Sequence, residues 1–288
     1  MNEARYWHAL GDGKVLCELC PHHCTIASGK AGICGVRKNI EGTLSAVGYG
    51  AVSSLALDPI EKKPLYRFYP GSTIVSLGGF GCNLRCPFCQ NCEISHEYDH
   101  DLNDVRTLSP DEVVALAKQT VANDNIGVAY TYNEPLVGYE FVSDCARLVH
   151  QAGLKNVLVT NGYIDHDPLV ELLPVIDAMN IDLKGFSERF YRKLGGSLAP
   201  VKEAIELAYT TCHLEVTTLV IPDENDSAEE MEALSSWLGA LDPSIPLHLS
   251  RFFPRYRYAD REPTPLGTLS DLRKIAQEHL QYVSVGNV

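Results

Sequence analysis

The chain has 288 residues, 45% of them hydrophobic and 21% charged, ordinary values for a globular protein with enough length for one large core. Its 37 acidic and 24 basic residues leave a net charge of −13, a surface that repels nucleic acid and anionic membranes unless a local basic patch intervenes. No run of about 18 apolar residues is present, and residues 1–7 are polar without the apolar core of a signal peptide, so a cytoplasmic protein with no membrane contact is expected.

Residues 1–70 are expected to form a small N-terminal appendage and an extended connection, followed by one barrel-like domain over 71–288. Ten cysteines is a large number for a cytoplasmic chain, and eight of them cluster. Cys17, Cys20, Cys24 and Cys34 form one group, and Cys82, Cys86, Cys89 and Cys92 another. Disulfide-dense chains are usually short and secreted, so clustering here favours metal ligation. The first group, C-x2-C-x3-C-x9-C, has the ligand count of a tetrathiolate site. Zinc is the first expectation there, an auxiliary iron–sulfur cluster the alternative and four free thiols the third. His22 and His23 are expected to face solvent, because four thiols already suffice.

From Thr73 onward short apolar runs alternate with helical patterns. Strands are expected at 74–77, 128–132, 156–160, 178–183, 215–221, 248–252 and 282–285, all rich in β-branched or aromatic residues. Ser109 and Glu112 flank Pro110 as a capping box, and Ser227 with Glu230 reads as a second. Val137, Phe141, Cys145 and Leu148 make a helical stripe that Gly153 ends. Repeated strand–helix alternation means parallel strands with helices outside, an α/β fold whose six or seven units close most of a (β/α) barrel. Chemistry in such barrels sits after the strands. The unusual residues fall there: Cys82 to Cys89, Asn133-Glu134-Pro135, Asn161-Gly162-Tyr163, Asp182 with Lys184 at a strand end, residues 222–226, and residues 252–257.

Gly78 to Cys89 places three thiols at C-x3-C-x2-C in a glycine-rich loop. Three thiolates hold three irons of a four-iron cluster and leave one iron open to a ligand. The competing reading is a zinc knuckle that uses Cys92 as its fourth ligand. Taken alone, Glu134-Pro135 also reads as a turn, and Asp182 with Lys184 as a strand-end ion pair.

The triplet, with Phe88 before its last cysteine, resembles the radical S-adenosylmethionine (SAM) superfamily. The similarity runs across segments 17–37, 58–71, 81–95, 130–135, 160–163, 180–184 and 248–256. It looks closest to the relatives of pyruvate formate-lyase activating enzyme, and within them to the radical SAM members of the AmmeMemoRadiSam system. The resemblance implies an incomplete (β/α)6-type TIM barrel, a [4Fe–4S] cluster on Cys82, Cys86 and Cys89, and SAM on the open iron. One electron would cleave SAM to a 5′-deoxyadenosyl radical that abstracts hydrogen. Glu134, with Asn133 standing where the family has glycine, would meet the SAM amino group. Thr160 and Asn161 would line the adenosine side, and Asp182 and Lys184 the methionine side. Cys92 would be a small packed residue. Phe253 stands where related chains tend to have histidine; a phenyl ring offers only packing or stacking there, with His248 or Arg251 as the alternative source of polarity.

The implied partners are reduced flavodoxin or ferredoxin as electron donor, and a protein substrate activated by hydrogen abstraction. A small molecule or peptide is the alternative substrate, and a noncatalytic iron–sulfur electron carrier the rival of another class. Two basic clusters stand out, Lys62, Lys63 and Arg67, and Arg251, Arg255, Arg257 and Arg261 among aromatics. The second is expected to be a solvated loop or a dock for an acidic donor.

Overall fold

The computed structural model describes residues 2–99, 102 and 105–288; Met1 of the expected appendage lies outside the described residues. Strands β1 (Trp7–Ala9), β2 (Val15–Cys17) and β3 (Thr25–Ile26) form a small antiparallel sheet. Strands β4 (Arg37–Ile40) and β5 (Thr43–Ala46) form a hairpin. Its turn places Glu41 and Gly42 at positive φ, and Asn39 Oδ1 accepts the Gly42 N–H at 2.8 Å.

The main sheet runs, in spatial order, β6 (Ser54–Pro59), β7 (Thr73–Gly78), β8 (Asn125–Tyr130), β9 (Lys155–Thr160), β10 (Ala178–Asp182), β11 (His213–Val220), β12 (Leu247–Arg251) and β13 (Val283–Gly286). β6 lies antiparallel against β7, and every later pair is parallel. Helices α1 (Cys92–Ser95) and α2 (Pro110–Gln119) connect β7 to β8, and α3 (Tyr139–Gln151) connects β8 to β9. Then come α4 (His166–Leu172), α5 (Glu188–Lys193), α6 (Leu198–Thr211), α7 (Ala228–Leu241) and α8 (Leu266–Ala276), with at least one helix before each remaining strand. β13 and β6 are the two ends of the sheet and do not pair, so the barrel is incomplete, as expected. The connection expected before residue 70 is itself part of this sheet, through β6. Among the described residues no helix is long and apolar enough to cross a membrane.

Local chemistry explains where the helices begin. The Ser109 hydroxyl accepts the Glu112 N–H, and the Glu112 carboxylate returns to Ser109, a complete capping box. At α7 only half of the expected box forms. Ser227 caps Glu230 N, but the Glu230 carboxylate accepts the Phe186 N–H instead and ties α7 to the loop after β10.

Side-chain alternation gives the sheet two apolar faces. Val128, Tyr130, Leu158, Met179, Ile181 and Val216 share a core with the helices. The intervening Ala129, Val157 and Ala178 face the other way, where residues 60–68 cover them with Ile60, Leu65 and Phe68. Polar groups lock that crossing segment. Asn180 Nδ2 donates to Pro64 O at 2.8 Å, and Glu215 accepts Tyr66 N at 3.0 Å and Arg67 N at 2.8 Å. Glu215 is fully buried and also holds His213 at 2.9 Å and His248 at 2.6 Å.

Burial alone would raise the Glu215 carboxyl, but the bonds from His213, His248, Arg67 and Tyr66 outweigh it and hold it at about 2. A depressed carboxylate contributes stability that is fully present above its unfolded value of 4.5 and is lost as pH falls through about 2. Glu215→Ala would strand two backbone N–H groups and a buried histidine, at a cost of about 3–5 kcal/mol. Urea unfolding near neutral pH should read this as a lower midpoint with an unchanged slope, and an unchanged midpoint would sink the assignment.

Candidate functional site

The C-terminal ends of the parallel strands converge on a cavity of about 340 Å³. Cys82, Cys86 and Cys89 line it together with Asn133, Glu134, Thr160, Asn161, Asp182 and Lys184. All nine sequence-predicted residues of this site therefore meet in one place. None of the ten cysteines forms a disulfide.

The cysteine loop leaves β7 through Gly78, Gly79 and Gly81. Gly81 has φ +85, and a Cβ there would come within 2.5 Å of the Cys34 carbonyl oxygen, so only glycine lets the loop pass. Leu84 N donates to Cys82 Sγ at 3.4 Å, and Asn161 Nδ2 approaches the same sulfur at 3.7 Å. Burial, helped by Glu134 and the neighbouring thiols, pushes the Cys82 thiol well up, and burial pushes Cys86 up to about 12. Thiols so desolvated become thiolates when a metal cation takes the proton's place. Among the described residues no three Cys, His, Asp or Glu side chains converge on one point as the ligands of a single ion do. Ligands of a four-iron cluster stand on different irons, so three thiols spread around one cavity fit that group better than zinc. Cys92 is buried in α1 and is not among the cavity-lining residues, which separates it from the triplet.

Glu134 is 3% exposed and bridges two strand ends. Its Oε1 accepts Thr160 Oγ1 at 2.6 Å and Leu136 N at 3.0 Å, and its Oε2 accepts Asn161 N at 2.7 Å. Burial pushes its carboxyl up to about 7 against those bonds, so a cation beside it would favour ionisation. A carboxylate offers about four acceptor positions, which leaves one for a ligand. Lys184 Nζ and Asp182 Oδ2 pair at 2.6 Å, so the ion pair and the cavity position are both present. Asn133 fills the family's glycine position by donating to Gly81 O at 3.0 Å and accepting Gly79 N at 2.9 Å.

Other expectations change. Phe253 is 40% exposed and packs under the Arg251 guanidinium at 4.9 Å, outside the cavity lining. His248 is committed to Glu215 and Ser284, and Arg251 Nε to Thr264 O, so neither supplies polarity to the cavity. His22 is half-buried, its Nε2 donating to Asn83 O at 2.6 Å and its ring meeting Tyr163 edge-on, whereas His23 is exposed. In the second basic cluster Arg255 pairs with Glu93 and Arg261 with Glu224.

Sequence reasoning missed Tyr132, which lines the cavity at φ +72. Its hydroxyl donates to Asp58 Oδ2 at 2.6 Å, and Lys63 Nζ lies 4.7 Å from its ring centre while pairing with Asp58 at 2.9 Å. A non-glycine residue in that backbone region at a strand end is a functional signal, but nothing local in the sequence marks it.

The uncharacterized protein MJ0808 of Methanocaldococcus jannaschii is 45% identical over 292 residues, covering 100% of this chain and 86% of that protein. Pyruvate formate-lyase 1-activating enzyme of Escherichia coli is 28% identical over 169 residues, 56% of this chain and 68% of that one. Among solved structures, QueE from Escherichia coli superposes with a TM-score of 0.53 at 14% identity, over 83% of this chain and 94% of that one, a likeness of fold alone. The profile of the radical SAM superfamily matches residues 77–235, from the end of β7 into α7. That stretch holds the cluster loop together with Asn133, Glu134, Thr160, Asn161, Asp182, Lys184, Thr217 and Leu219, which share its cavity. On the cavity's geometry and that match together, the chain belongs to the radical SAM superfamily.

Proposed function

We propose that this chain cleaves SAM reductively at a [4Fe–4S] cluster held by Cys82, Cys86 and Cys89, and directs the resulting radical at a C–H bond of a partner protein. The observation that carries the reading is the shared cavity, in which the three thiols meet Glu134, Thr160, Asn161, Asp182 and Lys184. When bound, the cluster and SAM supply a carbon radical strong enough to take a hydrogen atom. The chain's own residues bind and orient. Cys82, Cys86 and Cys89 would hold three irons of the cluster and leave one open to SAM. Glu134 has one acceptor position left for an ammonium group, and Thr160 and Asn161 keep its carboxylate in place. Lys184 offsets the negative charge of the thiolates, with Asp182 fixing its position.

A protein substrate is favoured by the likeness to activating enzymes, which include pyruvate formate-lyase 1-activating enzyme and the benzylsuccinate synthase activating enzyme of Thauera aromatica, 24% identical over 196 residues. Within the superfamily we read the chain as one of the AmmeMemoRadiSam group, with reduced flavodoxin or ferredoxin as donor. The second reading, modification of a small molecule or peptide, has one observation of its own. Lys62 and Lys63 line the same cavity and share one carboxylate, Asp58, so the excess positive charge suits an anionic substrate.

Cluster-replete protein incubated anaerobically with SAM and dithionite should release 5′-deoxyadenosine. None under any reducing condition would remove the enzyme reading and leave an electron carrier. Repeating the incubation with a cell lysate and following masses separates the substrates, because the change falls either in a protein or in the small-molecule fraction.

A further inference from the structure

Cys17, Cys20, Cys24 and Cys34 line a second, small cavity together with Arg37 and Val137. The amide donors around it point at sulfur. The backbone N–H groups of His22, Ile33 and Val36 are directed at Cys20, Cys24 and Cys34 respectively, and the Asn83 side chain reaches Cys20. Neutral thiols are weak acceptors, so donors gathered on three sulfurs suit thiolates.

Arg37 supplies the independent observation. Its side chain is 2% exposed. Nη1 donates to both oxygens of buried Glu140, at 2.9 Å and 3.1 Å, and Nη2 donates to Arg5 O. Nε is buried with no partner, on a side chain that lines the cysteine cavity. A buried guanidinium N–H without an acceptor is costly, and it is accounted for when an anion occupies the cavity.

We infer that these four cysteines form a thiolate-bound metal centre, distinct from the SAM cluster, with the Arg37 Nε–H as a buried donor to it. Four thiolates around one divalent ion, or around a four-iron core, leave a net anion in either case, which gives the buried Arg37 Nε–H its acceptor. Among the described residues the four sulfurs are not gathered as the ligands of one ion, and the cavity they line is small. Metal content decides between the ion and the four-iron core. The centre would also brace the loop carrying Cys82. Asn83 touches Cys20 and His22, Arg85 Nη2 donates to Ile33 O, and the Cys34 carbonyl oxygen lies against Gly81. This inference does not rest on the proposed reaction.

The test uses the full chain with Cys82→Ala, Cys86→Ala and Cys89→Ala, purified anaerobically. Elemental analysis should return about one zinc or about four irons per chain, and adding Cys24→Ala should remove about nine-tenths of it. Arg37→Met with Glu140→Gln removes the guanidinium and its Nε–H donor without leaving a buried carboxylate, and should release metal to a chelator roughly tenfold faster. In the native chain Cys20 and Cys24, both half-buried, should resist iodoacetamide until a chelator is added. A folded triple variant without metal overturns the site. So does immediate alkylation of Cys20 and Cys24 in the native chain, whether or not the variants fold. Unchanged metal release removes Arg37 from it.

Discussion

Cys86→Ala should cost the protein about four irons and all formation of 5′-deoxyadenosine, whereas Cys92→Ala should keep both. The two residues are close in sequence and both buried, at 8% and 5% exposure, so burial does not separate them. Position does. Cys86 lies on the cavity wall with Cys82, Cys89 and Lys184, and Cys92 sits in α1 away from that lining. Removing one of three thiolates leaves a cluster with two protein ligands, too few to hold it. Removing Cys92 takes one sulfur from packing, with a stability loss of about 1 kcal/mol. Iron analysis and product chromatography on the two variants decide the point. Loss of the irons in Cys92→Ala would mean that Cys92 is a ligand.

Glu134→Gln should bind SAM roughly tenfold or more weakly, since a charge-assisted hydrogen bond is worth about 1.5–3 kcal/mol and each decade of affinity about 1.4. The structure adds a second cost. All three donors to Glu134 need an oxygen, and the glutamine amide can offer only one, so its NH₂ group would meet either the Asn161 N–H or the Thr160 hydroxyl and Leu136 N–H. That conflict should lower stability by about 1–3 kcal/mol while the irons stay bound. Product formation at several SAM concentrations, beside a thermal unfolding curve, separates the two effects. A destabilised variant with unchanged SAM dependence would make Glu134 a strut between β8 and β9 and nothing more.

Much of the site was legible because its signals are local. C-x3-C-x2-C needs only the spacing of Cys82, Cys86 and Cys89. The placement of Glu134, Thr160 and Asp182 after strands follows from alternation of apolar runs with helical stripes, each read within a short window. Ser109 with Glu112 set a helix start for the same reason.

The half-formed box at Ser227 marks where such reading stops. Glu230 was free to choose between its own helix end and a loop 44 residues away, and packing chose the loop. Phe253 marks the same limit, because sequence position after β12 does not say which way a side chain leaves the strand, and the ring packs under Arg251 outside the cavity lining.

The sequence by itself determined the parallel α/β barrel, the thiol triplet and the strand ends that surround it, because periodicity and spacing act between near neighbours. Only the tertiary structure decided the pairings between distant residues. Arg37 meets Glu140 across 103 positions, Glu215 receives the 60–68 segment across about 150, and His22 reaches Asn83 across 61. Each of these is a buried polar group whose partner depends on which surfaces close over it. Desolvation makes such a partner obligatory, but only the finished packing says which residue it is.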